Sequence, residues 1–170
     1  NNVDPATIDP ANTQPEEKLW FSLASIASSE KLWQDTFTFP APIDFYDCYT
    51  SWYGARRSYN DSPYNYFHTG LDVCTGAGTE IYAAAPGVVV LAEALTVRGN
   101  AVMLDHGWGV FTAYMHLSEI RVKTGDRVEA GQLIGISGGT GRVAGPHLHW
   151  EVLVGGVQVE PLDWLTKQYP

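Results

Sequence analysis

Residues 87–117 read GVVVLAEALTVRGNAVMLDHGWGVFTAYMHL, three apolar stretches parted by Gly and Asp. Val, Tyr and Phe fill the stretches and turn formers separate them, the pattern of short strands joined by tight connections. The same texture runs on both sides. Strands are expected at 81–84, 87–94, 100–105, 109–117, 132–137, 147–154 and 157–159, and VKTGDRVEAGQLIG (122–135) holds two Gly-centred turns between strands. From Gly70 to Leu165 the chain therefore reads as all-β, a mainly antiparallel sandwich or barrel-like sheet.

Upstream the pattern changes. Residues 1–14, with Pro5 and Pro10, read as a flexible polar arm. Residues 15–34 read as a helix: Pro15 suits a first turn, Glu16 and Glu17 suit its positive end, and Leu19, Leu23, Ile26 and Ala27 recur at helical spacing. Residues 44–67 are rich in Tyr, Asn, Ser and Pro and read as long loops, either a binding surface or a flap over the core edge. The division expected is an N-terminal arm and helix over 1–40, with no assigned function, and one domain over 41–170.

Composition narrows the function. The chain has 170 residues, 45% of them hydrophobic and 17% charged, which excludes a disordered chain. Its net charge is −9, with 19 acidic against 10 basic residues. Phosphate binding needs clustered Lys and Arg, so nucleic acid is not the expected partner. No apolar run approaches the roughly 20 residues of a membrane span. A chain that starts at Asn1 without a leader is expected to be a processed or truncated product. Two cysteines, Cys48 and Cys74, exclude a C-x-x-C pair. They admit either one disulfide, worth roughly 3–4 kcal/mol in the chain-entropy model, or two buried thiols.

Four of the five histidines stand in informative contexts. His68-Thr-Gly-Leu-Asp72 offers an imidazole and a carboxylate, both zinc-ligand types. On a straight strand these would lie about 13 Å apart, so His68 must curl back from a loop, with Gly70 supplying the freedom. By itself this pair is more often a surface hydrogen bond. His147-Leu-His149 alternates on a strand: His147, His149 and Glu151 share one face about 7 Å apart in steps of two, and Leu148, Trp150 and Val152 take the core. The histidine face is expected to be open to solvent, as any polar sheet face would be. His116 ends a strand on which Val110, Thr112, Tyr114 and His116 share the more polar face; a lone His there is usually structural. His106 falls in the turn Asp105-His106-Gly107 and has no expected role. SGGTGR (137–142) lacks a phosphate-loop pattern, and no G-x-S-x-G elbow is present.

Taken in order, FHTGLD (67–72), GAGTEIYAAAPGVV (76–89), YMHLS (114–118), VKTGDRVEAGQLIGISGGTG (122–141) and GPHLHWEV (145–152) resemble the lysostaphin-type (LytM-like) zinc metallopeptidase family. Arg56 and Arg57 are similar to the family's loop before the first ligand, less distinctively. The resemblance covers somewhat over half the chain. It implies the family's duplicated β motif for 41–170 and a Zn2+ cofactor. His68, Asp72 and His149 match the metal ligands, which leaves a fourth position open to water. His116 and His147 match the two catalytic histidines that do not ligate. The activity implied is a zinc endopeptidase acting on peptide bonds of peptidoglycan cross-links or stem peptides, outside the cell or in its envelope. The groove expected for the substrate lies between loops 51–66, 95–100 and 137–146. That setting favours a Cys48–Cys74 bond, which would pin the loop before the site to the strand carrying Asp72. Some family members have lost ligands, so the alternative is a silent envelope module that binds peptidoglycan or activates a partner hydrolase. The N-terminal segment is a candidate for regulatory contact with the groove.

Overall fold

The structure, a computed structural model, describes residues 2–170. A helix α1 (Pro10–Ala24) precedes twelve strands and a short helix α2 (Pro161–Thr166). The strands are β1 (Tyr49–Ser51), β2 (Arg56–Arg57), β3 (Tyr66–Phe67), β4 (Leu71–Val73), β5 (Glu80–Tyr82), β6 (Gly87–Leu95), β7 (Gly99–Asp105), β8 (Val110–Ile120), β9 (Arg127–Val128), β10 (Leu133–Ser137), β11 (Leu148–Val154) and β12 (Val157–Val159). Ten of them form one antiparallel sheet whose main path runs β1-β4-β11-β8-β7-β6-β9; β10 bridges β5 and β8, and β12 extends β11. Strands β2 and β3 make a separate ribbon.

The sheet is covered on both faces. Leu71, Val102, Leu104, Tyr114, Leu148, Trp150 and Val152 point to the larger core, closed by Trp33, Phe37 and Trp164. Leu91, Ala101, Met103, Phe111, Ala113, Met115 and Leu153 point the other way and pack under Trp20 and Ala24 of α1. This explains why β7 and β8 read as nearly unbroken apolar runs rather than as strict alternation: neither face meets water.

The N-terminal expectations need correction. Residues 1–14 were expected as an arm, but among the described residues a 3-10 turn covers Pro5–Thr7, and α1 begins at Pro10, capped by the Asp9 carboxylate accepting from the Ala11 N–H. Pro10, not Pro15, is the first-turn proline; Pro15 lies inside the helix. The helix stops at Ala24 instead of Gln34. Its buried face is Glu16, Trp20 and Ala24, whereas Leu19 and Ile26 are exposed. One large indole outweighs the scattered aliphatics in choosing which side faces the sheet.

Candidate metal centre

Register places the ligand candidates. Asp72 on β4 stands directly opposite His149 on β11, and His149 stands opposite Met115 on β8. Directly paired residues on adjacent strands have side chains in contact. His68 enters from the loop before β4, where its N–H bonds the Ala55 carbonyl and its own carbonyl accepts from Gly54 N–H. It does curl back, as the spacing required. Gly70 serves this by close approach rather than by an unusual φ: a Cβ there would meet the Trp150 carbonyl, and His149 Nε2 at 2.9 Å.

Three donor atoms then converge. His68 Nε2 lies 2.9 Å from Asp72 Oδ1 and 2.9 Å from His149 Nδ1, and His149 Nδ1 lies 2.7 Å from Asp72 Oδ1. All three residues are buried. Each imidazole has its far nitrogen anchored. His68 Nδ1–H donates to the Trp52 carbonyl at 2.8 Å, and His149 Nε2–H donates to Glu151 Oε1 at 3.1 Å. Anchoring the far nitrogen fixes the tautomer and turns a lone pair inward. Two imidazole lone pairs and a carboxylate oxygen aimed at one point suit a cation.

The charges agree. Burial pushes the Asp72 carboxyl up, yet the imidazoles of His147, His149 and His68 hold it well below the usual carboxylate range. Arg57 Nη2 also binds Asp72 Oδ2, which keeps the other oxygen turned to the histidines. Burial pushes His149 down, but Asp72 and Glu151 pull it up to about 9. Two carboxylates around one imidazole favour positive charge there, and a divalent ion at Nδ1 provides it as well as a proton does. Burial lowers His68, which leaves it neutral and fit to ligate.

His116 and His147 flank the triad. Their rings are 5.0 Å apart, and His116 is 5.9 Å from the His149 ring. His116 Nδ1–H donates to the Thr140 carbonyl and His147 Nδ1–H to the Gly145 carbonyl, both at 2.8 Å. Both Nε2 atoms are thereby turned inward. His147 Nε2 is buried, 3.3 Å from Asp72 Oδ1 but without a hydrogen-bond partner, as expected of a group aimed at something the protein does not supply. Burial, reinforced by His147 and His149, holds His116 well below its ordinary value, so it is a neutral base.

The expected face of His116 was wrong, and the reason is a bulge. Asn100 and Val102 of β7 pair with Leu117 and Tyr114 of β8, so the single residue Ala101 faces two, Met115 and His116, and His116 adopts φ +63°. The extra residue turns His116 off the face it would share with Tyr114 and onto the face of Met115 and His149. Nor is the H-x-H face open to solvent: His149 and Glu151 are buried beneath α1 and the loops. His106 lies in the β7–β8 turn but is fully buried, with Nδ1–H donating to Pro86 O and Nε2 accepting from the Thr112 hydroxyl, each at 2.7 Å.

The centre opens into a polar cavity of ≈ 510 Å³ whose lining includes Arg56, Arg57, Tyr59, Tyr64, Arg142 and His147. Val97 and Arg98 line a smaller cavity of ≈ 70 Å³ together with His68, His116 and His149. Cys48 and Cys74 are joined by a disulfide, Cα–Cα 5.5 Å, beside the β1–β4 pair. Sequence reasoning gave no role to Glu151, Thr140 or Trp20. Glu151, two residues beyond His149 on the same face, was legible as an anchor; the other two come from distant segments and left no local signal.

Comparison with known proteins places the chain. Residues 66–161 match the family described as Peptidase family M23. Over 95 residues the chain is 46% identical to "Peptidoglycan DD-endopeptidase ShyA" of Vibrio cholerae, covering 56% of this chain and 22% of that one. It spans between a fifth and a third of the length of the curated relatives it matches. Among solved structures, a zinc containing peptidase from Vibrio cholerae superposes with TM-score 0.72 at 31% identity, over 81% of this chain and 41% of that one. The catalytic domain of the antimicrobial peptidase lysostaphin from Staphylococcus simulans superposes with TM-score 0.65 at 29% identity, over 76% of this chain and all of that one.

Proposed function

Because the chain belongs to peptidase family M23, we propose that it is a zinc endopeptidase that hydrolyses peptide bonds in peptidoglycan cross-links or stem peptides in the cell envelope. The observation that carries this reading is the full set of five side chains at one point: the His68, Asp72 and His149 donors, and the inward Nε2 atoms of His116 and His147. The names of the relatives supply the substrate class and the metal.

The donor set fits zinc in kind and in number, with three protein ligands as in catalytic rather than structural sites. Bound there, Zn2+ supplies Lewis acidity toward a carbonyl and toward water. The protein does the rest. His116, held neutral by burial, and His147, its Nε2 likewise turned inward, are placed to accept a proton from attacking water and return one to the leaving amine. Thr140 and Gly145 hold those rings so that neither needs to reorient during the reaction. Arg57 holds Asp72 in a single orientation.

A silent module would need none of the second pair of histidines; that both are present and inwardly turned disfavours it. The deciding experiment incubates the protein with cross-linked peptidoglycan, with and without a chelator, and reads fragments by mass spectrometry. New free amines at one peptide bond, lost on chelation and restored by zinc, are expected. No release after zinc loading would leave the binding module as the better reading.

A further inference from the structure

We propose that α1 is a working part of the metal centre: Trp20, through Glu151, fixes the ligand His149, and Glu16, through Arg98, fixes the bulge that carries His116. The inference rests on the metal reading above but does not depend on peptide cleavage. The helix lies outside the segment that matches the family, so nothing in that match assigns it a part in the site.

The first leg runs through a buried carboxylate. Glu151 is 2% exposed. Its Oε1 accepts from the Thr69 hydroxyl at 2.6 Å and from His149 Nε2–H at 3.1 Å. Its Oε2 accepts from Trp20 Nε1–H at 3.2 Å. With both oxygens held the carboxylate cannot turn away, so His149 keeps one ring orientation and one tautomer. Partners of this kind behind a metal ligand typically change metal affinity 10- to 100-fold when removed.

The second leg starts four residues earlier on the same face. Glu16 Oε2 accepts from Val97 N–H at 2.8 Å; Oε1 accepts from Arg98 N–H at 3.0 Å and from its guanidinium at 2.9 Å. This clamps the turn between β6 and β7. The Arg98 carbonyl in turn accepts the His116 N–H at 3.0 Å, at the residue with φ +63°. The Arg98 guanidinium lies 4.3 Å above the Trp20 ring and joins the two legs.

A helix serving only as cover would not choose this face. A buried ion pair is often no more stabilising than apolar residues of the same volume, yet α1 buries Glu16 against the β6–β7 turn rather than a leucine. What the carboxylate gains is direction, because it fixes two backbone amides and one guanidinium at once.

Trp20→Phe, Glu16→Gln and the control Ala24→Gly, which loosens the helix without touching either leg, separate positioning from packing. Zinc affinity by chelator competition, the imidazole NMR signals of His116 and His149, melting temperature, and kcat and KM are measured on each. Trp20→Phe is expected to lower zinc affinity about 10-fold or more and shift the His149 signals. Glu16→Gln is expected to leave zinc affinity near wild type, shift the His116 signals and lower kcat about tenfold with KM unchanged. Ala24→Gly should lower only the melting temperature. If Trp20→Phe does not fold, Glu151→Gln takes its place with the same expectation. Wild-type zinc affinity and His signals in both test variants would overturn the inference and leave α1 a cover for the core. A wild-type protein that takes up no zinc overturns the metal reading and this inference together. One that binds zinc but cleaves nothing overturns only the peptidase, and the zinc and NMR results still decide the role of α1.

Discussion

His149 and His116 lie one strand apart, yet truncating them should have different results. His149→Ala removes a lone pair from the triad and leaves Asp72 and Glu151 buried with less compensation; zinc is expected to be lost and activity to fall to background. His116→Ala leaves the triad whole, so zinc stays near one per chain while kcat falls roughly 10²- to 10⁴-fold. Metal analysis beside steady-state kinetics reads both, and a His149→Ala protein with full zinc and full activity would sink the ligand assignment. His106 shows a third kind of histidine. Burial lowers its pKa from 6.5 to about 4. The Tyr114 and Thr112 hydroxyls form a relay to its Nε2, and the Ala84 N–H donates into the Tyr114 oxygen. Between about pH 6.5 and 4 the unfolded chain binds a proton there that the folded chain refuses. Its contribution to stability is therefore whole above pH 6.5 and is lost as pH falls toward 4, by up to about 3 kcal/mol. Urea unfolding at stepped pH should show a shallower acid decline in His106→Gln than in wild type; identical declines would refute this.

At the scale of elements, the site depends on the close approach of Gly70, just before β4, to β11. Gly70→Ala puts a methyl against the Trp150 carbonyl, with His149 Nε2 at 2.9 Å and Glu151 Cγ at 3.0 Å. Backbone cannot yield as a flexible side chain can, so a cost of roughly 1–3 kcal/mol is expected, together with weaker zinc binding because His149 is pushed off its anchor. Thermal melting and zinc titration on the one variant test both parts; a stable Gly70→Ala with wild-type zinc affinity would show that the strands have room to spare. The strands over 87–117 were legible within a residue or three because β-branched and aromatic runs between turn formers leave few alternatives. The short strands β1 to β3 were not placed, since two- and three-residue pairings are made by tertiary neighbours and carry no periodicity, whereas a strand at Asp72 was expected and is β4. The bulge at His116 was equally invisible: nothing in YMHLS says that an extra residue must be accommodated opposite Asn100 and Val102.

Across the whole molecule, the segment before α1 reaches the groove. Val3 lines the larger cavity, and its N–H and C=O pair with the Asn60 side-chain amide at 2.9 and 3.0 Å, as a passing strand would. Arg142 reaches the Thr7 carbonyl at 3.4 Å. We propose a regulatory role for this contact. Deleting residues 1–8 is expected to raise kcat/KM severalfold, while deletion through Ala24 also removes Glu16 and Trp20 and is expected to abolish activity. Assay of the two truncations on one peptidoglycan preparation tests the contrast; equal activity of the short truncation and the full chain would remove the regulatory role. The sequence by itself determined the β class, because residue type and short spacing fix strand texture; the five side chains that the structure brings together were named only through the ordered resemblance to the family, since each local motif alone favoured a structural role. Only the tertiary structure decided which way His116 faces, what holds His149, and that the helix belongs to the site. Those depend on register and on contacts between residues more than 80 positions apart, such as Glu16 with Arg98 and Trp20 with Glu151, and such contacts leave no mark on local sequence.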